Sequence, residues 1–264
     1  MSRSPALAAR RVRQTFGFAN GPVVLAGLGS ALTPWRRPEL QFRTRDGLVI
    51  SCPNHAGARV PVYEVFAEDT YRMADLAGGL PERPVVLDIG AQIGCFSLAV
   101  AQRLPAATVH AYEASPSTAR WLERNVRDNG LAQRVTAHAV AVSDHDGTLE
   151  LADNVHASAL NGLTSPEGSL VTVPCRSFAG VVADAGGQVD LVKLDTEGAE
   201  YAIVLGSRPE DWAGVRTLVM EYHDVPGHSW AELSEFLATA GLHEVAHEPA
   251  GPRQGTVWLR RSPS

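Results

Sequence analysis

The stretch Val86–Gly94 reads VLDIGAQIG, and it decides the fold. The mainly apolar run Val86–Ile89 is typical of a buried strand, and Gly90 begins a glycine turn. Residues 93–104 then carry apolar side chains on a helical period, which stops at Pro105. A strand, a glycine turn and a helix in this order predict a unit of a parallel sheet with a ligand-binding turn.

The same alternation continues towards the end of the chain. Strands are predicted at 85–88, 108–112, 135–142, 189–194 and 217–220, and helices at 93–104, 116–129, 178–185 and 199–205. Two final strands, at 242–246 and 256–259, are predicted to form an antiparallel pair at one edge. This pattern predicts an α/β fold with a mostly parallel sheet.

The part before this alternation differs in charge. Residues 1–45 contain eight arginines and a single acid, Glu39. A strand at 40–50 and a helix at 64–76 are predicted after this basic arm. We therefore predict an N-terminal extension over 1–79 that packs on a main domain over 80–264. The arm can contact an acidic substrate, a membrane surface or a carrier protein, although such segments are more often simply solvated.

Overall composition excludes several classes. A formal net charge of −6 and an isoelectric point near 5.8 argue against a dedicated nucleic-acid binder. No run of 18 or more apolar residues occurs, so we expect no membrane span. The three cysteines are widely separated, which favours reduced thiols in a cytoplasmic protein. Composition leaves a homo-oligomer open.

The glycine turn and two acids point to a nucleoside cofactor. Glu113 ends the next strand, where a carboxylate can accept hydrogen bonds from both ribose hydroxyls. A dinucleotide fingerprint needs G-x-G-x-x-G, whereas Gly90 and Gly94 are separated by three residues, with Gln92 in place of the second glycine. Asp88 would repel a phosphate but suits an ammonium. S-adenosylmethionine, which carries an ammonium and a sulfonium, therefore fits better than a dinucleotide.

Several longer segments carry a resemblance. GAQIGCFSLAVA (90–101), VHAYEASPST (109–118), WLERNVRDNGL (121–131), AVSDHDGTLEL (141–151) and DLVKLDTEGAEYAIVLG (190–206) resemble the FkbM-type family of SAM-dependent methyltransferases, as do TRDGLVI (44–50), VYEVFAEDTY (62–71) and MEYH (220–223). Together they cover roughly residues 40–260 in order. The resemblance implies a class I methyltransferase fold, Rossmann-like, with a seven-stranded sheet. It also implies O-methylation of natural-product or sugar hydroxyls. One departure is Gln92, where the family more usually carries Asn.

The resemblance also implies residue roles. Asp88, Gly90, Ala91 and Gly94 would form the loop at the methionine end of the cofactor. Glu113 would bind the ribose, with Ala114 and Ser115 beside it. Three residues after the third predicted strand would contact adenine: Val142, Ser143 and Asp144.

Candidate catalytic residues follow two later strands. A hydroxyl acceptor is a poor nucleophile at neutral pH and needs a base or a metal. His223 is the preferred general base because the ordinary pKa of imidazole lies near neutrality. Asp195 and Glu221 end the fourth and fifth predicted strands, where catalytic groups of open α/β sheets gather.

A metal-assisted mechanism would use the same residues. Asp195 and Glu221 occupy strand ends resembling those that carry the metal carboxylates in catechol O-methyltransferase. With His223 they would offer ligands for Mg²⁺ or Mn²⁺, an alternative that we do not favour.

The acceptor is predicted to be a small-molecule hydroxyl. Asn154, His156 and Ser158, in the polar segment 153–169, are candidate acceptor contacts. Glu64 and Tyr71, from the predicted extension, are candidates to close over the cofactor. The alternatives are an N-methyltransferase, which needs less help from a base, an NAD-dependent oxidoreductase, which the glycine spacing disfavours, and a catalytically silent subunit that binds a partner.

Overall fold

A seven-stranded sheet organises the chain in the computed structural model, which describes residues 5–30, 34, 37–55, 57–153 and 169–262. The strand order is β11-β12-β10-β9-β3-β4-β5. Its strands are β3 (Val85–Ile89), β4 (Thr108–Tyr112), β5 (Val135–His138), β9 (Leu191–Leu194), β10 (Thr217–Tyr222), β11 (Leu242–Gly251) and β12 (Gln254–Arg261). All pairings from β10 to β5 are parallel, and β12 is antiparallel to both of its neighbours. The predicted fold, a seven-stranded mostly parallel sheet with an antiparallel edge, is confirmed.

Two smaller sheets accompany the main one. A hairpin joins β1 (Glu39–Arg43) to β2 (Val49–Pro53), and the other small sheet has the order β6 (Ala141–Ser143), β8 (Ser169–Ser177), β7 (Gly147–Asp153). The helices are α1 (Pro5–Thr15), α2 (Gly21–Ser30), α3 (Val60–Tyr63), α4 (Met73–Gly78), α5 (Cys95–Arg103), α6 (Pro116–Asp128), α7 (Phe178–Asp184), α8 (Glu200–Leu205) and α9 (Trp230–Thr239). None of them is long and apolar enough to cross a membrane.

Apolar side chains cover both faces of the main sheet. Successive residues of a strand point to opposite faces, so Val86 and Leu87 belong to different buried clusters. Val86 packs with residues of α5 and of the N-terminal segment, including Phe42 and Val65. Leu87 packs with residues of α7, α8 and α9. A parallel sheet covered on both faces leaves only the strand ends open for ligands.

Asn125 of α6 and Asn129, the C-cap residue of that helix, tie the N-terminal hairpin to the helix. The Asn125 side chain accepts from the Ser51 amide at 2.8 Å and donates to the Ser51 carbonyl at 3.0 Å. Asn129 makes the same pair of bonds with Val49, at 2.8 and 2.7 Å. The two side chains therefore satisfy the open edge of β2 as a neighbouring strand would. The division at residues 79 and 80 stays a prediction.

The predicted strand 135–142 is wrong as a single element. Its first half is β5, which pairs with β4, and its second half is β6, which pairs with β8 in a different sheet. The His138 ring stacks on the Tyr112 ring at a centroid distance of 4.4 Å, close to where the chain leaves the main sheet. Apolar residues occur on both sides of this break, and so the pattern could not reveal the change of sheet.

The predicted helix 64–76 is also wrong as a single element. A π-helical turn occupies Glu64–Glu68, and α4 starts only at Met73. Between them, Asp69 and Arg72 adopt φ values of 51° and 52°, which end the first turn and redirect the chain. The Asp69 carboxylate then accepts from the Met73 amide at 2.8 Å at the start of α4. This break allows Tyr71 to turn inwards, with 4% of its surface exposed.

Candidate active site

A cleft opens at the carboxyl ends of the central strands. The strand ends contribute Ile89, Gly90, Ala91, Gln92, Glu113, Ala114, Ser115, Lys193, Asp195, Glu197 and Glu221. The small sheet contributes Val142 and Ser143, and the N-terminal segment contributes Val60, Pro61, Glu64, Val65 and Tyr71. The predicted residues Asp88, Gly94, Asp144 and His223 do not line it. Asn154, His156 and Ser158 lie outside the described residues.

The glycines of this turn pack closely against the end of β9 and against α6. Gly90 has φ of 77°, and a β-carbon on it would lie 1.7 Å from the Asp195 carbonyl oxygen. Gly94 has φ of 90°, and a β-carbon there would lie 2.7 Å from Leu122 Cδ1. Gln92 also has a positive φ, of 50°, a conformation in which asparagine is enriched over other residues. A side chain at Gly90 or Gly94 would therefore collide with the Asp195 backbone or with Leu122, so this turn needs glycine at both.

Glu113 lies at the other side of this turn. Its two carboxylate oxygens accept from the backbone amides of Gln92 and Ser115, each at 2.9 Å. Burial raises the pKa of Glu113 to about 7, although both amides favour the ionised form. The carboxylate keeps lone pairs for further donors, since each oxygen accepts a single protein bond among the described residues.

The Ser115 hydroxyl forms hydrogen bonds within the protein. Its hydroxyl accepts from the Thr118 amide at 3.2 Å and so caps α6. It also donates to Asp153 at 2.6 Å. Asp144 is about half exposed, and its carboxylate is paired with His145 at 2.6 Å. The polar side chains of Ser115 and Asp144 thus have hydrogen-bond partners within the protein. Their predicted contacts with the cofactor stay predictions.

The predicted position of Asp88 needs correction. We expected its carboxylate to face an ammonium in the cleft, but it lies beneath the glycine turn and is fully buried. One of its oxygens accepts from the Ser97 hydroxyl at 2.6 Å. The other lies 3.5 Å from the Lys193 ammonium, because β3 and β9 pair with Asp88 opposite Lys193. A cation of the protein already occupies the place proposed for the ligand.

Lys193 is the central residue that sequence reasoning missed. It is only 3% exposed, and its ammonium donates to the Gly90 carbonyl at 2.7 Å. The same ammonium lies 3.4 Å from Asp195. Burial favours the neutral amine, but the two carboxylates outweigh it and raise the pKa of Lys193. The sequence signal was that Lys193 is the only lysine.

Asp195 is held from two sides. Its carboxylate accepts from the Tyr71 hydroxyl at 2.9 Å and is paired with Lys193. The Tyr71 carbonyl accepts in turn from the Trp258 indole at 3.2 Å, and the Arg72 guanidinium lies 4.5 Å from the centre of the Trp258 ring. The edge hairpin therefore fixes the N-terminal segment, which fixes Asp195.

His223 lies among carboxylates. Its Nδ1 is 3.2 Å from the buried Glu200, and its Nε2 is 3.5 Å from Glu197 and 3.9 Å from Glu221. Burial alone would lower the pKa of His223, but the bond to Glu200 and the surrounding negative charges raise it to about 10. His223 was chosen as a base for its ordinary pKa near neutrality, and that reason does not hold. Burial and Asp195 raise the pKa of Glu221 to about 8.

The sequence model of the family described as Methyltransferase FkbM domain matches residues 88–244, more than half of the chain. The chain belongs to the FkbM methyltransferase domain family. It is 29% identical to the 31-O-demethyl-FK506 methyltransferase FkbM of Streptomyces tacrolimicus, over 84% of this chain and 96% of that protein. It is 28% identical to the methyltransferase sdnD of Sordaria araneosa, over 62% of this chain and 74% of that protein.

A solved SAM-dependent methyltransferase from Agrobacterium tumefaciens is similar over 86% of this chain and 71% of its own, with 14% identity and a TM-score of 0.49. As a member of the FkbM family, the chain is a SAM-dependent methyltransferase. The cleft fits that cofactor, because the carboxylates that line it suit a cationic ligand rather than a phosphate.

The metal-ligand set in this FkbM-family chain differs from the prediction. Asp195, Glu197 and His223 can each offer a ligand atom, and these atoms lie within 4.8 Å of one another. Glu221, which we predicted, is not in this group, and Glu197, which we did not predict, is. Glu197 adopts φ of 54°, so the chain reverses sharply after Asp195 and brings both carboxylates to one place.

We expect the imidazole of His223 to stay protonated from about pH 6 to about pH 8, because the neighbouring carboxylates stabilise its charge. In Glu200→Gln the partner of Nδ1 loses its charge, so the pKa should fall towards 6.5, the ordinary value. Nitrogen-15 NMR of the His223 ring measures its pKa in the unaltered protein and in the variant. The matched control is Glu232→Gln, which removes the charge of an exposed carboxylate that is paired with another histidine, His228. This variant should leave the pKa of His223 unchanged. A His223 titration centred near 6.5 in the unaltered protein would contradict the expectation.

Proposed function

We propose that this chain O-methylates a hydroxyl group of a small-molecule natural product or sugar by in-line methyl transfer. The observation that carries the proposal is the carboxylate cluster at the ends of β9 and β10, which opens into the same cleft as the glycine turn. A hydroxyl acceptor must lose a proton, whereas a neutral amine already presents a lone pair. The Streptomyces tacrolimicus relative is named a 31-O-demethyl-FK506 methyltransferase, which supports an oxygen acceptor.

The proposed cofactor contacts follow the cleft from one end to the other. When bound, S-adenosylmethionine supplies a methyl group activated by a sulfonium. The backbone of Gly90 and Ala91 forms the floor, and Gly94 lets α5 begin close to it. Glu113 accepts from the ribose hydroxyls with the lone pairs that its two amide partners leave. The side chains of Ala114, Val142 and Ser143 form the wall proposed for adenine.

Asp195, Glu221 and His223 are proposed to prepare the acceptor. Asp195, held by Tyr71 and Lys193, orients the acceptor hydroxyl, since in-line attack requires an approach of about 3 Å. Glu221 accepts its proton, because a carboxylate with a raised pKa is a stronger base than an ordinary one. His223, as a cation, stabilises the charge that remains on the neighbouring carboxylates.

A divalent ion has no step in this proposal. Asp195, Glu197 and His223 are the residues that would hold one, and oxygen with imidazole nitrogen suits Mg²⁺ or Mn²⁺. Bound there, such an ion would lower the pKa of the acceptor hydroxyl. The carboxylates and the charged histidine already supply a proton acceptor and its counter-charge.

A calorimetric titration with S-adenosylhomocysteine, with NAD⁺ in parallel, tests the cofactor assignment. We expect only the former to bind. Glu113→Ala should weaken that binding by about ten-fold or more, because charge-assisted hydrogen bonds to the ribose are lost. Glu123→Ala removes an exposed carboxylate on α6 and is the matched control, expected to bind as the unaltered protein does.

Each other outcome has a definite meaning. Binding of NAD⁺ alone would favour an oxidoreductase and contradict the proposal. Binding of neither would favour a silent subunit. Since Glu113 also holds two backbone amides, Glu113→Gln serves as a second variant that keeps an acceptor at this place. Unchanged affinity in both variants would exclude Glu113 as the ribose ligand.

A further inference from the structure

Glu64 is a cleft residue that the proposed function does not use. It is the first residue of the π-helical turn Glu64–Glu68, which packs against α5. π-Helical turns are rare and frequently lie at functional sites. Glu64 precedes the region matched by the family model, which begins at residue 88. Its side chain nevertheless lines the same cleft as the glycine turn.

The carboxylate of Glu64 has no partner in the part of the chain that the structure describes. No hydrogen bond or salt bridge joins it to those residues, unlike the other well-buried carboxylates of the cleft. Glu113 is held by two backbone amides, and Asp195 by Tyr71 and Lys193. A partly buried carboxylate without a counter-charge is unfavourable unless a ligand supplies one.

The charged groups around Glu64 do not supply that counter-charge. They are Arg11, Glu68, Lys193, Asp195 and Glu221, with the neutral side chains of Tyr71 and Cys95 nearby. Arg11 is bound to Glu68 at 2.6 Å, and Lys193 is shared by the Gly90 carbonyl and two other carboxylates. Burial, followed by the charge of Asp195, raises the pKa of Glu64 to about 7. The site is therefore electrostatically prepared for a cation.

The sheet order places Glu64 at one end of the cleft. β3 lies between β9 and β4, so Asp195 and Glu113 follow strands on opposite sides of the glycine turn. Glu64 belongs to the same N-terminal segment as Tyr71, whose hydroxyl donates to Asp195. Glu64 therefore lies on the Asp195 side of the glycine turn, away from the proposed ribose site. In S-adenosylmethionine the amino-acid end, with its ammonium, lies opposite the nucleoside.

We propose that Glu64 pairs with the ammonium of the methionine end of the cofactor, the contact that sequence reasoning assigned to Asp88. This inference rests on the proposed cofactor site. The glycine turn brings backbone atoms to the methionine end, and Glu64 closes over it from the N-terminal segment. Asp88 instead serves the same end indirectly, by holding Lys193 beneath the turn.

Two ligands separate this contact from the rest of the site. S-adenosylhomocysteine carries the amino-acid end, and 5′-methylthioadenosine has the same nucleoside without it. Calorimetric titration of Glu64→Gln should show about ten- to a hundred-fold weaker binding of S-adenosylhomocysteine, as for a lost hydrogen bond between charged groups. Binding of 5′-methylthioadenosine should change by less than about two-fold. Glu82→Gln, which removes an exposed carboxylate outside the cleft, is the matched control and should change neither affinity by more than that.

The outcomes are distinguishable. If the unaltered protein binds S-adenosylhomocysteine and Glu64→Gln binds it equally well, this inference is overturned and the proposed function stands. If Glu64→Gln loses both ligands, Glu64→Asp decides: recovery of binding with the charge restored supports the pairing, and no recovery overturns it. If the unaltered protein binds neither ligand, the proposed function and this inference both fail.

Discussion

Replacing Gly90 with alanine is expected to abolish binding of S-adenosylhomocysteine and to destabilise the fold by about 3–5 kcal/mol. The new β-carbon would lie 1.7 Å from the carbonyl oxygen of Asp195, a backbone atom that cannot rotate away. Relief of this clash must separate the ends of β3 and β9, which together form the floor of the cleft. Calorimetric titration measures the affinity, and urea unfolding measures the stability.

Gly130→Ala is the matched control for Gly90→Ala. Gly130 also has a positive φ, of 67°, but a β-carbon on it would meet no heavy atom within 4 Å. Gly130→Ala should therefore lower the free energy of unfolding only by the strain of the left-handed conformation, about 1–2 kcal/mol. The affinity for S-adenosylhomocysteine should stay unchanged. Equal losses in the two variants would mean that strain, not the contact with Asp195, makes glycine necessary at residue 90.

The second large effect is expected from Lys193→Met, which keeps most of the apolar stem and removes the charge. Asp88 is fully buried and would lose its only nearby cation among the described residues. Removal of one member of a buried ion pair costs about 3–5 kcal/mol, because the remaining charge is left without compensation. Urea unfolding of the variant and of the unaltered protein measures this difference.

The sign of the pH dependence follows from Asp88. Burial already raises its pKa in the folded protein, and loss of the lysine should raise it further. A carboxyl whose pKa is higher folded than unfolded stabilises the fold at low pH and loses that contribution as the pH rises through the folded pKa. The deficit of Lys193→Met should therefore be smaller at about pH 5 than at about pH 8. Adding Asp88→Asn should recover part of it, and a deficit independent of both pH and Asp88 would refute this explanation.

Local patterns predicted the architecture well. Short apolar runs mark β3, β10 and β12, and the turn after Ile89 has the glycines that its close packing requires. These properties are contained in a few adjacent residues, so the sequence displays them directly. The seven-stranded sheet and the antiparallel hairpin at its edge are confirmed for this reason.

Properties that depend on distant residues were not predictable in the same way. The partner of Asp88 is Lys193, 105 positions later, and only the register of β3 and β9 brings the two together. The charge of His223 depends on three carboxylates, of which Glu197 and Glu200 were not singled out. The break at Asp69 and Arg72 serves a contact with Asp195, which no periodicity within 64–76 records.

The burial of Lys193 also bears on chemical labelling. This residue carries the only side-chain amine in the sequence, and it is enclosed by two carboxylates and a carbonyl. Reagents that acylate amines, and proteases that require lysine, therefore reach a side chain of this protein only when the cleft itself opens. The rate at which Lys193 is acylated therefore measures how often the cleft opens.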